Sequence, residues 1–452
     1  MTRVSRLRFM SPLTVLFWIA GGLFLFSTTG GCRRASRSGA QAEVLSVWAH
    51  AGRADERRIL QRQVSRFNEE HPEFQAQLTF LPEGSYNGQV QAAAVAGELP
   101  AVLELDGPYV ANYAWQGKLR ALDPILGEKL HDDLLPSLIE QGTYRDSLYA
   151  IGTFDSGLGL YAHRKALEAV GARIPRSAAE AWSVREFEEI LASLASHDAD
   201  GMVLDLGLNN IGEWYSYGFS PVLQSAGGDL VARGDSMRAE GILDGPESIA
   251  ALQHIQDWIV QGYVDPNLDD AAFTAGRVGL SWSGHWKFSS YCPKGDCGDV
   301  VLVPLPDFGR GSRTGQGSWC WSITRECKNP ELAMAFLRFL LRTPEILAMT
   351  NSNHAVPGTK SAVAASADYG MNGPLHLFAS QLSGGYAVPR PRTPAYPIIS
   401  SAFQKALLDI RAGGSVKKAL HRAARVIDRD LADNHGYPDP QAARRDGGEG
   451  KR

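Results

Sequence analysis

Between residues 43 and 106 the hydrophobic positions keep two rhythms in turn. EVLSVWAH (43–50) sets Val44 and Val47 among apolar neighbours, in a short strand ending at His50. ADERRILQRQVSRFNEEHP then places Leu60, Val64 and Phe67 at i, i+4 and i+7, one face of a helix that stops before Pro72. FQAQLTF alternates Phe74, Ala76, Leu78 and Phe80, a second strand. An Ala-rich stretch opening on Ser85 as a cap and closing at Gly97 predicts a second helix, and AVLELD a third strand. This order predicts an α/β fold with a parallel sheet. In open sheets of that kind ligands bind beyond the carboxyl ends of the strands. Here those ends are Trp48-Ala49-His50, Leu81-Pro82-Glu83 and Asp106-Gly107-Pro108-Tyr109.

The rhythm continues less cleanly. SLYAIGTFDSGLGLYAHRKALEAVG reads as two short strands and a helix. WSVREFEEILASLA is a helix capped by Ser183, and Ile249, Leu252, Ile255 and Ile259 line another that ends at Gly262. A helix with Pro330 in its first turn and two C-terminal helices complete the folded part. Residues 437–452, charged and Gly-rich, are expected to be a disordered tail.

The N-terminus follows a different logic. Arg3, Arg6 and Arg8 precede an apolar run from Phe9 to Phe26, and Gly30 and Gly31 stand before Cys32. That is the order of a secretory signal. A retained membrane helix is the alternative, and Ser11, Pro12, Thr14 and a glycine pair interrupt it. TTGGC resembles a bacterial lipoprotein lipobox with Cys32 as the lipid-modified residue, although Thr29 stands where a Leu-like residue is usual. On this reading residues 1–31 are a signal peptide and 32–42 a polar tether, and the protein is lipid-anchored and extracytoplasmic in the cell envelope. Losing the leader moves the formal charge from −4 to −7, since it carries three arginines and no acid. With no basic stripe visible, nucleic acid is not an expected partner.

Cys292, Cys297, Cys320 and Cys327 remain, and an exported chain favours disulfides. Sequence proximity favours Cys292 with Cys297 and Cys320 with Cys327, while adjacent strands could cross the pairs. CPKGDC lacks the spacing and histidines of a zinc site, so no metal is expected.

Several blocks carry a resemblance along nearly the whole mature chain: FNEEHPEFQ, ELPAVLELDGPYVANYAWQGKLRALD, SAGGDLV, AAFTAGRVGLSWSGHW, NPELAMAFLRFLL and AVPRPRTPAYPIIS. Together they are similar to the extracytoplasmic solute-binding proteins of ABC-type sugar importers, in the group related to the maltodextrin-binding protein. The resemblance implies a two-lobed periplasmic-binding-protein-like (type II) fold, discontinuous in sequence, with ligand between the lobes. It places 43–152 and 319–372 in the first lobe and 153–318 and 373–436 in the second. It implies a sugar or oligosaccharide ligand, ABC permease subunits as partners, no cofactor and no catalysis. A sensory lipoprotein, a binder of another solute and a carbohydrate-active enzyme stay as alternatives.

Sugars offer C–H faces that stack on aromatic rings and hydroxyls that need fixed donors and acceptors. Trp48, Trp214, Trp286 and Trp319, at strand ends or in Gly-rich loops, are therefore candidate platforms. Trp182 and Trp258 read as core, and strand alternation turns Trp282 and Trp321 inward. Asp106, Asp155 and Arg390 match binding positions of the family, with Arg392 as the register alternative to Arg390. The alternative role for Asp106 is a helix cap. Glu83, Glu213 and Tyr215 are further candidates. Adjacent acids such as Glu69-Glu70 and Asp132-Asp133 read as solvated surface. GRGSRTGQGSW lacks the lysine and hydroxyl of a phosphate loop, and DADG falls short of a calcium loop.

Overall fold

The computed structural model describes residues 42–234 and 236–439. The leader, Cys32, nearly all of the tether and the tail from 440 lie outside the described residues.

The first lobe is built on a four-stranded sheet. β1 (Glu43–His50) pairs in parallel with β2 (Phe74–Leu81) on one side and β3 (Val102–Asp106) on the other. The two crossover helices cover opposite faces. Leu60, Val64 and Phe67 of Ala54–Glu70 join Leu45, Val47 and Ala49 in one core, and Tyr86, Val90 and Ala94 of Tyr86–Ala96 join Leu103 and Leu105 in another. Side chains alternate across a strand, so one sheet feeds both cores. Ser85 makes no side-chain cap, whereas Ser183 accepts the Glu186 amide at 3.1 Å.

Two two-residue strands, β4 (Thr143–Tyr144) and β5 (Ser147–Leu148), form a hairpin before the chain leaves this lobe through β6 (Phe154–Asp155). The second lobe carries β7 (Leu158–His163), β8 (Leu204–Asp205), β9 (Leu280–Gly284) and β10 (Val300–Val303) in the order β10-β7-β9-β8. Trp182, Trp258 and Trp282 are fully buried in its core. The chain returns through β11 (Thr314–Gln316) to β12 (Trp319–Ile323), which completes the first sheet antiparallel to β3. β13 (Val356–Pro357) pairs with β6, and β14 (Ala387–Pro389) leads back to the second lobe alongside β11. The first two crossings are tied together, with Thr314 Oγ1 accepting the Leu158 amide at 2.6 Å and Asp155 Oδ1 the Gly317 amide at 3.2 Å, and the β11–β14 pairing joins the third.

Cys292 and Cys297 form a disulfide. Cys320 and Cys327 do not; both are buried free thiols, which corrects the second expected pairing. Cys320 points into the core under Tyr86–Ala96, and Cys327 packs with the helix Pro330–Leu340 in the core on the other face. The sheet stands between them. The beginning of the expected tail is also docked. Trp115 Nε1 donates to the Pro438 carbonyl at 2.8 Å, the Tyr437 ring meets Trp115 edge-on at 5.0 Å, and Arg145 pairs with Asp439.

Candidate functional site

β3 ends at Asp106, the helix Glu213–Ala226 begins at Glu213, and the crossing after β14 delivers Arg390 between them. Arg390 Nη2 donates to Asp106 Oδ1 at 2.8 Å, and Nη1 to Asp106 Oδ2 at 3.1 Å and Glu213 Oε2 at 2.7 Å. Tyr109 and Tyr396 donate to Glu213 at 2.9 and 2.6 Å, and Ser400 donates to it as well. One acid thus gathers donors from both lobes. Burial pushes the Asp106 carboxyl above its ordinary range despite Arg390. Burial opposes the Arg390 charge, yet Asp106 holds the guanidinium well above its usual value. Asp106 caps no helix with its side chain, so its alternative role falls away. Arg390 is 4% exposed, and its Nε has no acceptor within the protein.

Aromatic groups flank this cluster. On the first lobe Trp319, paired with Asp106 across β12 and β3, stacks on His50 at 3.9 Å and 3°. Glu104 holds that imidazole, with Oε2 2.7 Å from Nδ1. Burial lowers the His50 pKa, and Glu104 more than offsets this, leaving it raised. Trp48 is half-buried against the same core. On the second lobe Trp214 and Trp286 meet at 6.1 Å and 89°, and Tyr217 lies 6.0 Å from Trp286 and 5.1 Å from the Arg390 guanidinium carbon. Glycines make the room. A Cβ on Gly284 would lie 2.1 Å from the Trp286 ring, and one on Gly218 3.1 Å from Trp214. Arg53 of the first lobe donates to the Trp286 carbonyl, closing the lobes at this edge.

Helical geometry sorts the remaining candidates. Trp214, Tyr217 and Gly218 share one face of Glu213–Ala226, at i, i+3 and i+4. Tyr215 turns the other way, 1% exposed among Phe219 and Val222, so it is core and offers no ligand surface. Asp155 is fully buried in the hinge, accepting from the Ser156 and Gly317 amides at 2.7 and 3.2 Å. Burial raises its pKa against those bonds and the Ser137 hydroxyl. It ties the crossings and is 0% exposed. Glu83 is exposed in the turn Glu83–Ser85. Arg392 reaches Glu140 instead of the cluster, which settles the register on Arg390. Sequence reading passed over Tyr217, Tyr396 and Ser400, which carry no motif. His50 and Tyr109 were signalled, by their places at strand ends. Among the described residues no group of three His, Cys, Asp or Glu is placed to hold a metal, and no helix is long and apolar enough to cross a membrane.

A family model described as bacterial extracellular solute-binding protein matches residues 62–374. An uncharacterized lipoprotein in the oleD 5′ region of Streptomyces antibioticus is 24% identical over 322 residues, 66% of this chain and 67% of its own. The GacH receptor of Streptomyces glaucescens, solved unliganded and with acarbose, is 21% identical with a TM-score of 0.72, over 87% of this chain and 99% of that one. The cyclic alpha-maltosyl-1,6-maltose binding protein of Arthrobacter globiformis is 20% identical with a TM-score of 0.70, over 87% of this chain and all of that one. At these identities the likeness is one of fold, the two-lobed architecture.

Proposed function

The chain belongs to the bacterial extracellular solute-binding proteins, and from that premise we propose that it captures a saccharide between its lobes and delivers it to an ABC-type permease. The observation that carries this reading is the aromatic set drawn from both lobes around one ionic cluster: Trp48 and Trp319 on one side, Trp214, Trp286 and Tyr217 on the other. The four tryptophans are half-buried and offer flat apolar faces to pyranose C–H groups. The related folds whose ligands are named bind acarbose and a cyclic maltosyl-maltose, which supports a saccharide.

The mechanism is binding without turnover. Each lobe holds part of the surface, so only the closed arrangement gives the ligand all its contacts, and ligand shifts the open–closed equilibrium toward closure. The permease then reads the closed shape. Cys32 anchors the protein to the membrane by lipid; the Streptomyces antibioticus relative is named a lipoprotein. Two acyl chains or more hold a protein stably at about 0.8 kcal/mol per buried CH₂.

A thermal-shift screen over mono- and oligosaccharides, followed by calorimetric titration, tests the reading. A selective ligand raises stability as RT ln(1 + [L]/Kd). Silence across the whole saccharide panel, with a response to amino acids or peptides, would replace it. Cys32→Ser should move the processed protein from membranes to the soluble fraction.

A further inference from the structure

The cleft floor also carries a charge rule for the ligand, an inference that rests on the saccharide reading. Arg390 already faces two carboxylates, donating twice to Asp106 and once to Glu213. Glu213 is in turn filled by Tyr109, Tyr396 and Ser400. The cluster therefore carries one positive and two negative charges. The cations that flank the site residues in sequence are spent as well. Arg53 serves the Trp286 carbonyl, Arg57 the carbonyls of Ala51 and Gly52, Lys287 Asp270, and Arg392 the Glu140 carbonyl. One guanidinium nitrogen is left without a partner, the buried Arg390 Nε.

We propose that the cleft selects uncharged saccharides, with a hydroxyl oxygen accepting from Arg390 Nε, and excludes sugars that carry a carboxylate or phosphate. A hydroxyl accepts a hydrogen bond without adding charge. A ligand anion would be a third negative group around one guanidinium in a water-poor setting, where like charges repel far more strongly than in bulk water. It would also have to shed its hydration with no free cation to replace it.

The test uses disaccharides of glucose, galactose and mannose in three forms. These are the neutral sugar, the diuronate with both hydroxymethyl groups oxidised, and the diuronamide, which matches the diuronate in size without its charge. Calorimetric titration of the full processed chain should show the neutral sugar binding at least tenfold more tightly than its diuronate, with the diuronamide close to the neutral parent. Glu213→Gln, checked by melting, should narrow the gap between sugar and diuronate; Asp106→Asn serves if that variant fails to fold. A diuronate within tenfold of its parent overturns the rule and leaves the saccharide reading standing. Rejection of the amide along with the acid also overturns it, because size alone would then explain the exclusion. If no neutral saccharide binds in this or the wider screen, the saccharide reading fails and this inference fails with it.

Discussion

At the cleft floor Arg390 has turned three donors onto Asp106 and Glu213, whereas at the walls Trp48, Trp214, Trp286 and Trp319 stay half-buried with ring surface unspent. Both regions were candidates for ligand contact, yet they divide the work. The floor is a mutually satisfied ionic cluster that joins strand end, helix start and hinge. Its residues govern how the lobes sit together and what charge they tolerate. The walls, which make few polar bonds of their own, are free to supply contact area. A polar residue is available to a ligand only insofar as its neighbours leave it a free donor or acceptor, and on Arg390 the nitrogen without a partner is Nε.

The largest effect should come from removing the floor's cation. Arg390→Ala leaves Asp106 a buried acid without its cation and strips the half-buried Glu213 of its only cationic partner among the described residues, and unfolding by urea should show a loss of about 3–5 kcal/mol. Arg390→Lys should restore little, since an ammonium cannot make the forked bond to Asp106. A variant as stable as the parent would break the contrast.

Next comes a pH effect where the lobes touch. His285 Nδ1 lies 2.8 Å from the Asn353 carbonyl of the first lobe, and burial lowers its pKa to about 4. The unfolded chain, with an ordinary histidine near 6.5, binds more protons than the folded one between those values. Stability from this group is therefore complete above about pH 6.5 and is lost as pH falls toward 4, by about 3 kcal/mol in all. His285→Gln should flatten that part of the pH–stability curve measured by urea unfolding.

The walls should answer in affinity. Trp286→Ala and Trp214→Ala should each weaken saccharide binding by about 1–3 kcal/mol in calorimetric titration. Asp106→Asn should instead lower the melting temperature more than it lowers affinity. The reverse pattern would merge floor and walls into one ligand surface.

The smallest effect lies away from both. Tyr437→Ala removes the ring from Trp115 and the hydroxyl from Asp430, and should cost about 1 kcal/mol or less in a urea melt with ligand affinity unchanged.

Much of the first lobe was legible because local rules govern it. Period-2 and period-3.6 patterns place β1, β2, β3 and the helices between them, and Asp106 and His50 fall at strand ends where ligands bind. The tryptophans at strand ends and in Gly-rich loops, Trp48, Trp214, Trp286 and Trp319, keep partly exposed rings, while Trp182, Trp258, Trp282 and Trp321 are buried. Tyr215 was misplaced because neighbours on a helix point about 100° apart, and only the packed core decides which face turns inward. Asp155 was misplaced for a related reason: its burial comes from the meeting of three chain segments, of which Gly317 is far off in sequence.

By itself, then, the sequence determined the alternation of strands and helices, the short-range disulfide between Cys292 and Cys297, and the residue types suited to a saccharide. These depend on neighbours a few positions apart. The tertiary structure decided what depends on distant partners. It set Cys320 and Cys327 on opposite faces of a sheet, docked Tyr437 on Trp115, and brought Asp106, Glu213 and Arg390 into one cluster. Spacing along the chain cannot show that a charge is already neutralised by another 284 residues away. Only folding brings the two within hydrogen-bonding distance and takes the water from between them.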